Sequence, residues 1–472
     1  MVEAAFDLVV IGGGSAGLTA ARFAAQLGAR VALVERERLG GDCTWTGCIP
    51  SKALLRAAQA AHELRHADRF GLVPTETRVD LARVMARVRA ASQRVAAFES
   101  AEALRRQGVQ VLFGAARFVD PHLLDVAGRE VRSERFVICT GAASVVPSIP
   151  DLAQTPHLTY EQVFDLATLP RRLLVLGAGA TGVELSQAFQ RLGAAVTLVE
   201  QAERILPGVD PEASAVLGEQ LAEDGVALRL GAAVEMVRPR EGGVVVRVAG
   251  EVLEAEALLV AAGRRPRVEG LGLDAAGVAY SQAGVAVDEH LCTSQRHIFA
   301  AGDVTGGFQL THYAGWQGFL AARNALLPGA SPGTRASVPW GVFTDPELAQ
   351  AGLSEPEARA KHGQELVVSR WPVERIDRAQ AAGEARGLLK VLHSRDGVIL
   401  GATIVAARAG EMIHEYALAL ERGLKLDDLA SVIHVYPSYS MATQQLAAEY
   451  KLATLLRGAT GAVLKTVGRW LR

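Results

Sequence analysis

The sequence predicts an α/β chain: two copies of one strand–turn–helix–strand unit, followed by a smaller α+β domain. Three observations predict it. A glycine pattern occurs twice, each time at the end of an apolar run. Each pattern opens a helix-forming stretch and leads to a second apolar run. From about residue 337 the glycine turns stop, and short β-like runs alternate with helices. A length of 472 residues leaves room for about three domains.

The first unit reads "DLVVIGGGSAGLTAARFAAQLGARVALVE". Gly12, Gly14 and Gly17 fill G-x-G-x-x-G. The first glycine permits a tight turn, the second lets the backbone approach a pyrophosphate, and the third lets helix and strand pack closely. Glu35 ends the second strand, where an acid can bind a ribose hydroxyl. The unit is therefore expected to be Rossmann-like and to hold a dinucleotide. The plan recurs in "RLLVLGAGATGVELSQAFQRLGAAVTLVE" with Gly177, Gly179 and Gly182, and Glu200 repeats the acid. Each acid stands 23 residues beyond its first glycine. Two units imply two dinucleotides, and a flavin with a nicotinamide donor would form an electron relay.

The remaining elements follow in order. "FVICTGAASVVPSIP" is a buried strand running into a Thr140–Gly141 turn, the exit from the first unit. "ALLVAAGRRPRVEGLGL", with Gly263, does the same for the second. "TSQRHIFAAGDV" ends a strand at Gly302 and Asp303, where a carboxylate could hold a ribityl hydroxyl or cap the helix that follows. The expected boundaries are 1–145 for the first part of an FAD-binding domain and 146–265 for an NAD-binding domain. They continue with 266–336 for the second part of the FAD-binding domain and 337–472 for a dimer interface domain with a basic tail.

Composition excludes several classes. A net charge of −2 argues against nucleic acid as a partner. No apolar run reaches the roughly 18 residues of a membrane span, and no cleavable leader is visible, so a cytoplasmic protein is expected. Of four cysteines, Cys43 and Cys48 stand five apart in "GGDCTWTGCIPSK", while Cys139 and Cys292 stand alone. Cytosolic chains seldom keep structural disulfides, and no second pair completes a zinc site. That leaves a redox pair, its thiolate favoured at a helix N-terminus. "HELRH", from His62 to His66, spells H-E-x-x-H, but no third ligand accompanies it and no metal site is expected.

Together these motifs resemble the pyridine nucleotide–disulfide oxidoreductases, the family of dihydrolipoyl dehydrogenase, glutathione reductase and mercuric reductase. The resemblance covers residues 6–448. It implies that Cys43 meets the substrate and that Cys48 lies against the flavin. It further implies that Lys52 points at the flavin and pairs with Glu184, and that Gly114, Asp303 and Thr311 touch FAD. Electrons would pass from NADH to FAD, to the Cys43–Cys48 pair, and to an acceptor. Glu200 would favour NADH over NADPH by repelling a 2′-phosphate.

Two departures matter. Asp42 replaces a small residue of the redox motif. In "SVIHVYPSYSMATQQLAAEY", Tyr436 and Met441 stand where disulfide reductases of the family carry a His–Glu pair supplied by the partner subunit. His434 is two residues early, and nothing in the sequence orients it. Mercuric reductases also lack that pair. The sequence ends "VLKTVGRWLR" without vicinal cysteines and shows no N-terminal metal-binding domain, so a full mercuric reductase is not implied. The expected function is mercuric reductase-like transfer to Hg(II) or a disulfide by a homodimer. Alternatives are dihydrolipoyl dehydrogenase, a membrane-associated NADH:quinone reductase, and a non-catalytic redox sensor. The quinone alternative rests on the tail, where Lys451, Arg457, Lys465, Arg469 and Arg472 could lie on an anionic membrane surface.

Overall fold

A computed structural model describes residues 6–76, 78–457, 461–463, 466–467 and 470. The chain divides into two compact units. One comprises residues 1–62, 77–201 and 232–336, and the other residues 63–76, 202–231 and 337–472. The segment 202–231, which the sequence places in the second dinucleotide unit, thus groups with the C-terminal domain.

The first unit is built on a five-stranded parallel sheet in the order Ile298–Ala300, Phe136–Ile138, Leu8–Ile11, Val31–Glu35, Val109–Phe113. Its strands are continuous apolar runs because both faces are covered. Leu8, Val10 and Leu33 enter one core with helix Ser15–Gln26, while Val9, Ile11 and Val34 enter another with Phe118 and Phe136. Helix Ser15–Gln26 lies against helix Thr311–Leu326 so closely that a Cβ on Gly318 would stand 2.1 Å from the Ala16 carbonyl oxygen. The second glycine turn leaves strand Arg172–Leu176, which is flanked in parallel by Ala195–Val199 and Ala257–Val260. A three-stranded antiparallel sheet, Val234–Arg240, Gly243–Val248 and Glu251–Ala255, packs its valines into the same core.

The second unit carries a five-stranded antiparallel sheet in the order Trp340–Val342, Glu347–Gly352, Ile399–Ala406, Leu388–Ser394, Leu366–Pro372. Helices Ala409–Arg422 and Met441–Leu455 bury Met412, Tyr416 and Leu446 against Trp371, Leu389, Val391 and Ile404. Lys390, between Leu389 and Val391, faces away from that core. Its side chain is 3 % exposed and its ammonium meets Asp210 and Glu212 at 2.7 Å and Glu355 at 2.5 Å. Burial of this charge is tolerated because it is paired several times over.

Of the basic tail, Lys451 lies in helix Met441–Leu455 and Arg457 just beyond it. Lys465, Arg469 and Arg472 lie outside the described residues. Among the described residues no helix is long and apolar enough to cross a membrane.

Candidate active site

The two glycine turns share one geometry. Gly12 has φ +106°, and a Cβ there would stand 2.3 Å from the Cys139 carbonyl oxygen. A Cβ on Gly17 would stand 1.8 Å from the Gly12 carbonyl oxygen. Gly14 differs: its nearest neighbour is the Gly41 Cα at 3.8 Å, so the turn is open there. Gly177, Gly182 and Gly179 repeat the pattern, with contacts of 2.6 Å and 1.9 Å at the first two and open space at the third. The open position heads a helix in both copies, which is the arrangement that binds a pyrophosphate. Both turns fit a dinucleotide on this ground.

The acids fasten these turns from behind. Glu35 accepts the backbone N–H of Gly13 at 2.7 Å and that of Glu37 at 2.8 Å. Glu200 accepts that of Ala178 at 2.8 Å. Gly114, at the end of the neighbouring strand, donates its N–H to the Glu35 carbonyl. Thr140 donates to the Arg267 carbonyl at 2.8 Å, and Arg267 N–H returns to the Gly141 carbonyl. Gly141 and Gly263 both have open space where a Cβ would stand. Gly302 donates its N–H to the Gln317 side chain at 3.0 Å.

The redox loop is pressed onto the first turn. Gly40 N–H donates to the Gly13 carbonyl at 2.8 Å, and a Cβ on Gly41 would be 2.8 Å from the Gly14 Cα. Cys43 lies in the short helix Gly41–Trp45, and Cys48 opens helix Cys48–Arg65. Both are free thiols. Cys48 Sγ lies 3.2 Å from the Thr311 hydroxyl, on the first residue of helix Thr311–Leu326. The hydrogen bond from Cys43 pulls the Cys48 thiol down to about 6, helped by Thr311 and the charge of Lys52 against the cost of burial. Cys43, donating to that thiolate and itself buried, is pushed up. One thiol of the pair is thus poised as a thiolate and the other as its proton-bearing partner.

Lys52, one turn into the same helix, donates to Glu184 Oε2 at 2.8 Å and Oε1 at 3.1 Å. Glu184 belongs to helix Ala180–Leu192 and is 5 % exposed. Asp303 receives Arg264 at 2.7 Å, and the other arm of that guanidinium reaches Asp42 at 2.7 Å. Tyr160 donates to the same Asp42 oxygen at 3.0 Å. Arg267 stands 3.5 Å from Asp42 and 3.3 Å from Glu161. Asp42, an oddity in the sequence, is therefore the hub of an ion network that extends to Asp303. Burial raises the Asp303 carboxyl against the pull of Arg264.

The C-terminal segment corrects one expectation. His434 is oriented after all: Nε2 lies 2.9 Å from Glu415 Oε1, and Nδ1 lies 3.1 Å from the Val432 carbonyl. The sequence hid this partner because Glu415 sits on helix Ala409–Arg422, well before the irregular segment that carries His434. Both ring nitrogens are committed and the side chain is 8 % exposed, so His434 is no freer to move a proton. Tyr436 is 66 % exposed and donates to Asp377 at 3.0 Å, which raises its hydroxyl pKa. Met441 begins helix Met441–Leu455.

Comparison with known proteins then gives the following. Residues 6–318 match the family model described as pyridine nucleotide-disulphide oxidoreductase, and residues 338–447 match the dimerisation domain of that family. The chain is 36 % identical to a mercuric reductase of Bacillus cereus over 438 residues, covering 91 % of this chain and 69 % of that one. It is 37 % identical to a dihydrolipoyl dehydrogenase of Thermus scotoductus over 455 residues, covering 94 % and 96 %. Among solved structures it resembles the Cu(II) complex of the HOCl-induced flavoprotein disulfide reductase RclA from Escherichia coli. There the TM-score is 0.84 and the identity 32 %, over 93 % of this chain and 98 % of that one.

Proposed function

The chain belongs to the pyridine nucleotide-disulphide oxidoreductases, which are FAD-dependent and use a pyridine nucleotide, and from that premise we propose that it carries electrons from NADH through FAD and the Cys43–Cys48 pair to a thiol-reactive acceptor, Hg(II) ahead of a disulfide. The observation that carries the reading is the asymmetric thiol pair, Cys48 held as thiolate by Cys43, Thr311 and Lys52. Gly12, Gly14 and Gly17 at the first turn, together with Asp303, would hold FAD, which would supply two-electron chemistry between the nicotinamide and the cysteines. The chain's own residues do the rest. Lys52 and Glu184 keep a paired charge beside Cys48, and Cys43 is left to meet the acceptor. The dimerisation-domain match supports a homodimer.

The acceptor is argued from the C-terminal segment. Dithiol–disulfide exchange needs a proton moved on and off the interchange thiol, and general acid–base help is worth about 10²–10⁴-fold. Tyr436, with its pKa raised by Asp377, is a poor base at pH 7. A soft metal ion binds thiolates directly and avoids that step. Glu200 next to the second glycine turn supports NADH as donor. The relatives divide between mercuric reductase and dihydrolipoyl dehydrogenase at similar identity, and the RclA structure holds Cu(II). The test is therefore an acceptor panel under NADH: Hg(II), Cu(II), lipoamide, glutathione disulfide, a quinone and oxygen. Hg(II)-dependent NADH oxidation is expected to exceed lipoamide turnover. Lipoamide turnover at rates typical of enzymes, about 10–10³ per second, would replace this reading with dihydrolipoyl dehydrogenase.

A further inference from the structure

Glu99 lies between helices Leu81–Ala97 and Ala101–Arg106, far in sequence from the redox motif. The chain around it is held on both sides. Arg22 donates to the Phe98 carbonyl at 2.8 Å, and Ser100 caps the second helix by accepting Ala103 N–H at 3.2 Å. The carboxylate points into the redox loop. Its Oε2 accepts the hydroxyl of Thr44 at 2.8 Å, and Thr44, the neighbour of Cys43, is 1 % exposed. Gly40, with φ +106°, makes the room: a Cβ there would stand 2.7 Å from Glu99 Oε2 and 2.8 Å from Thr44 Cβ.

Asp42, within the loop, and Glu99, which reaches it from the helix junction, are treated differently. Asp42 is matched by Arg264 and Arg267. Glu99 has Thr44 as its hydrogen-bond donor, and among the described residues no Lys, Arg or His forms an ion pair with it. Its charge therefore lies beside the loop that carries Cys43, joined to it through the Thr44 hydroxyl. Cys48 and burial raise that thiol, the Thr311 hydroxyl pulls it down, and the charge of Glu99 adds a smaller push upward. Cys48 answers instead to Cys43, Thr311, Lys52 and Glu184.

We propose that Glu99 is a specificity-determining residue of the redox loop, whose fixed negative charge turns the Cys43 thiol against anionic acceptors and toward neutral or cationic ones. The inference rests on reading Cys43 as the acceptor-facing thiol. It explains why a carboxylate is placed against the loop that carries this thiol: its negative charge repels an anionic disulfide and attracts a metal cation.

The test uses reduced, FAD-loaded enzyme and two alkylating probes of similar shape, neutral iodoacetamide and anionic iodoacetate, with the labelled cysteine located by peptide mapping. Glu99→Gln keeps an oxygen for Thr44 and removes the charge. It is expected to raise the iodoacetate-to-iodoacetamide rate ratio at Cys43 by about three- to tenfold. Glu99→Asp keeps the charge and should hold the native ratio. On the unmodified enzyme, added salt should move the ratio in the same direction as Glu99→Gln, a measurement that needs no variant to fold. A ratio unmoved by both Glu99→Gln and salt, with the label on Cys43, overturns the inference and leaves the proposed function standing. Label confined to Cys48 overturns the reading of Cys43 on which both depend.

Discussion

Thr311→Val should move the acid limit of the thiolate signature upward by about one pH unit. The hydroxyl lies 3.2 Å from Cys48 Sγ. A hydrogen bond to a charged group is worth about 1.5–3 kcal/mol, and a bond to sulfur, a weak acceptor, belongs at the lower end. At about 1.36 kcal/mol per pKa unit, its loss raises Cys48 from about 6 to roughly 7. The methyl that replaces the hydroxyl adds desolvation in the same direction. The sign is that of a depressed acid: thiolate is present above the pKa and lost as pH falls through it. At pH 6.5 the thiolate fraction should therefore drop from about three quarters to about one quarter. The assay is the long-wavelength absorbance of the NADH-reduced enzyme titrated from pH 8 to pH 5, at matched flavin content. Cys48→Ser should remove the band entirely. A midpoint that stays within about 0.3 unit of the native one in Thr311→Val would refute the assignment of Cys48 as the thiolate that Thr311 supports.

Three further outcomes are expected. Kinetic comparison of the two donors should give a higher kcat/KM for NADH, because Glu200 repels a 2′-phosphate; a tenfold preference for NADPH would contradict this. Lys390→Met leaves Asp210, Glu212 and Glu355 without their shared cation and should cost about 3–5 kcal/mol in urea unfolding. In the native protein Glu212, held down to about 2 by Arg370 and Lys390, contributes stability that is present above its ordinary 4.5 and lost as pH falls from there toward 2, so the stability difference between native protein and variant should shrink over that range. Tyr436→His combined with Met441→Glu should raise lipoamide reduction by at least about tenfold, read as steady-state NADH formation or consumption.

The parts legible in the sequence were those whose physics is local. Gly17 must be glycine because its Cβ would strike a carbonyl five residues back, and that constraint shows as a fixed spacing. The cysteine pair is legible for the same reason. Lys52 and Glu184 stand 132 residues apart, and no periodicity joins them; only the family resemblance brought them together. Asp42 was visible as an oddity, but its partner Arg264 lies 222 residues away in a stretch read as a simple exit from a strand. Glu99 and Glu415 were missed altogether. Each is one carboxylate among many near a helix, and what singles it out is a neighbour delivered by the tertiary fold. Gly40 carried half a signal, since a glycine beside a functional cysteine announces that something approaches without saying what.

The ammonium of Lys390 bears on how independent the C-terminal piece can be. Residues 337–472 have the sheet, the two helices and the apolar core of a free-standing module. Yet strand Leu388–Ser394 brings a cation into the interior, and two of its three counterions, Asp210 and Glu212, arrive on a segment more than a hundred residues upstream. Cut away from 202–231, the piece would have to bury that charge against Glu355 alone or leave the strand undocked. The boundary that looks cleanest by family alignment is therefore a poor place to divide the gene, and a grafted or shuffled version of this domain should carry the upstream helix Pro211–Glu223 with it.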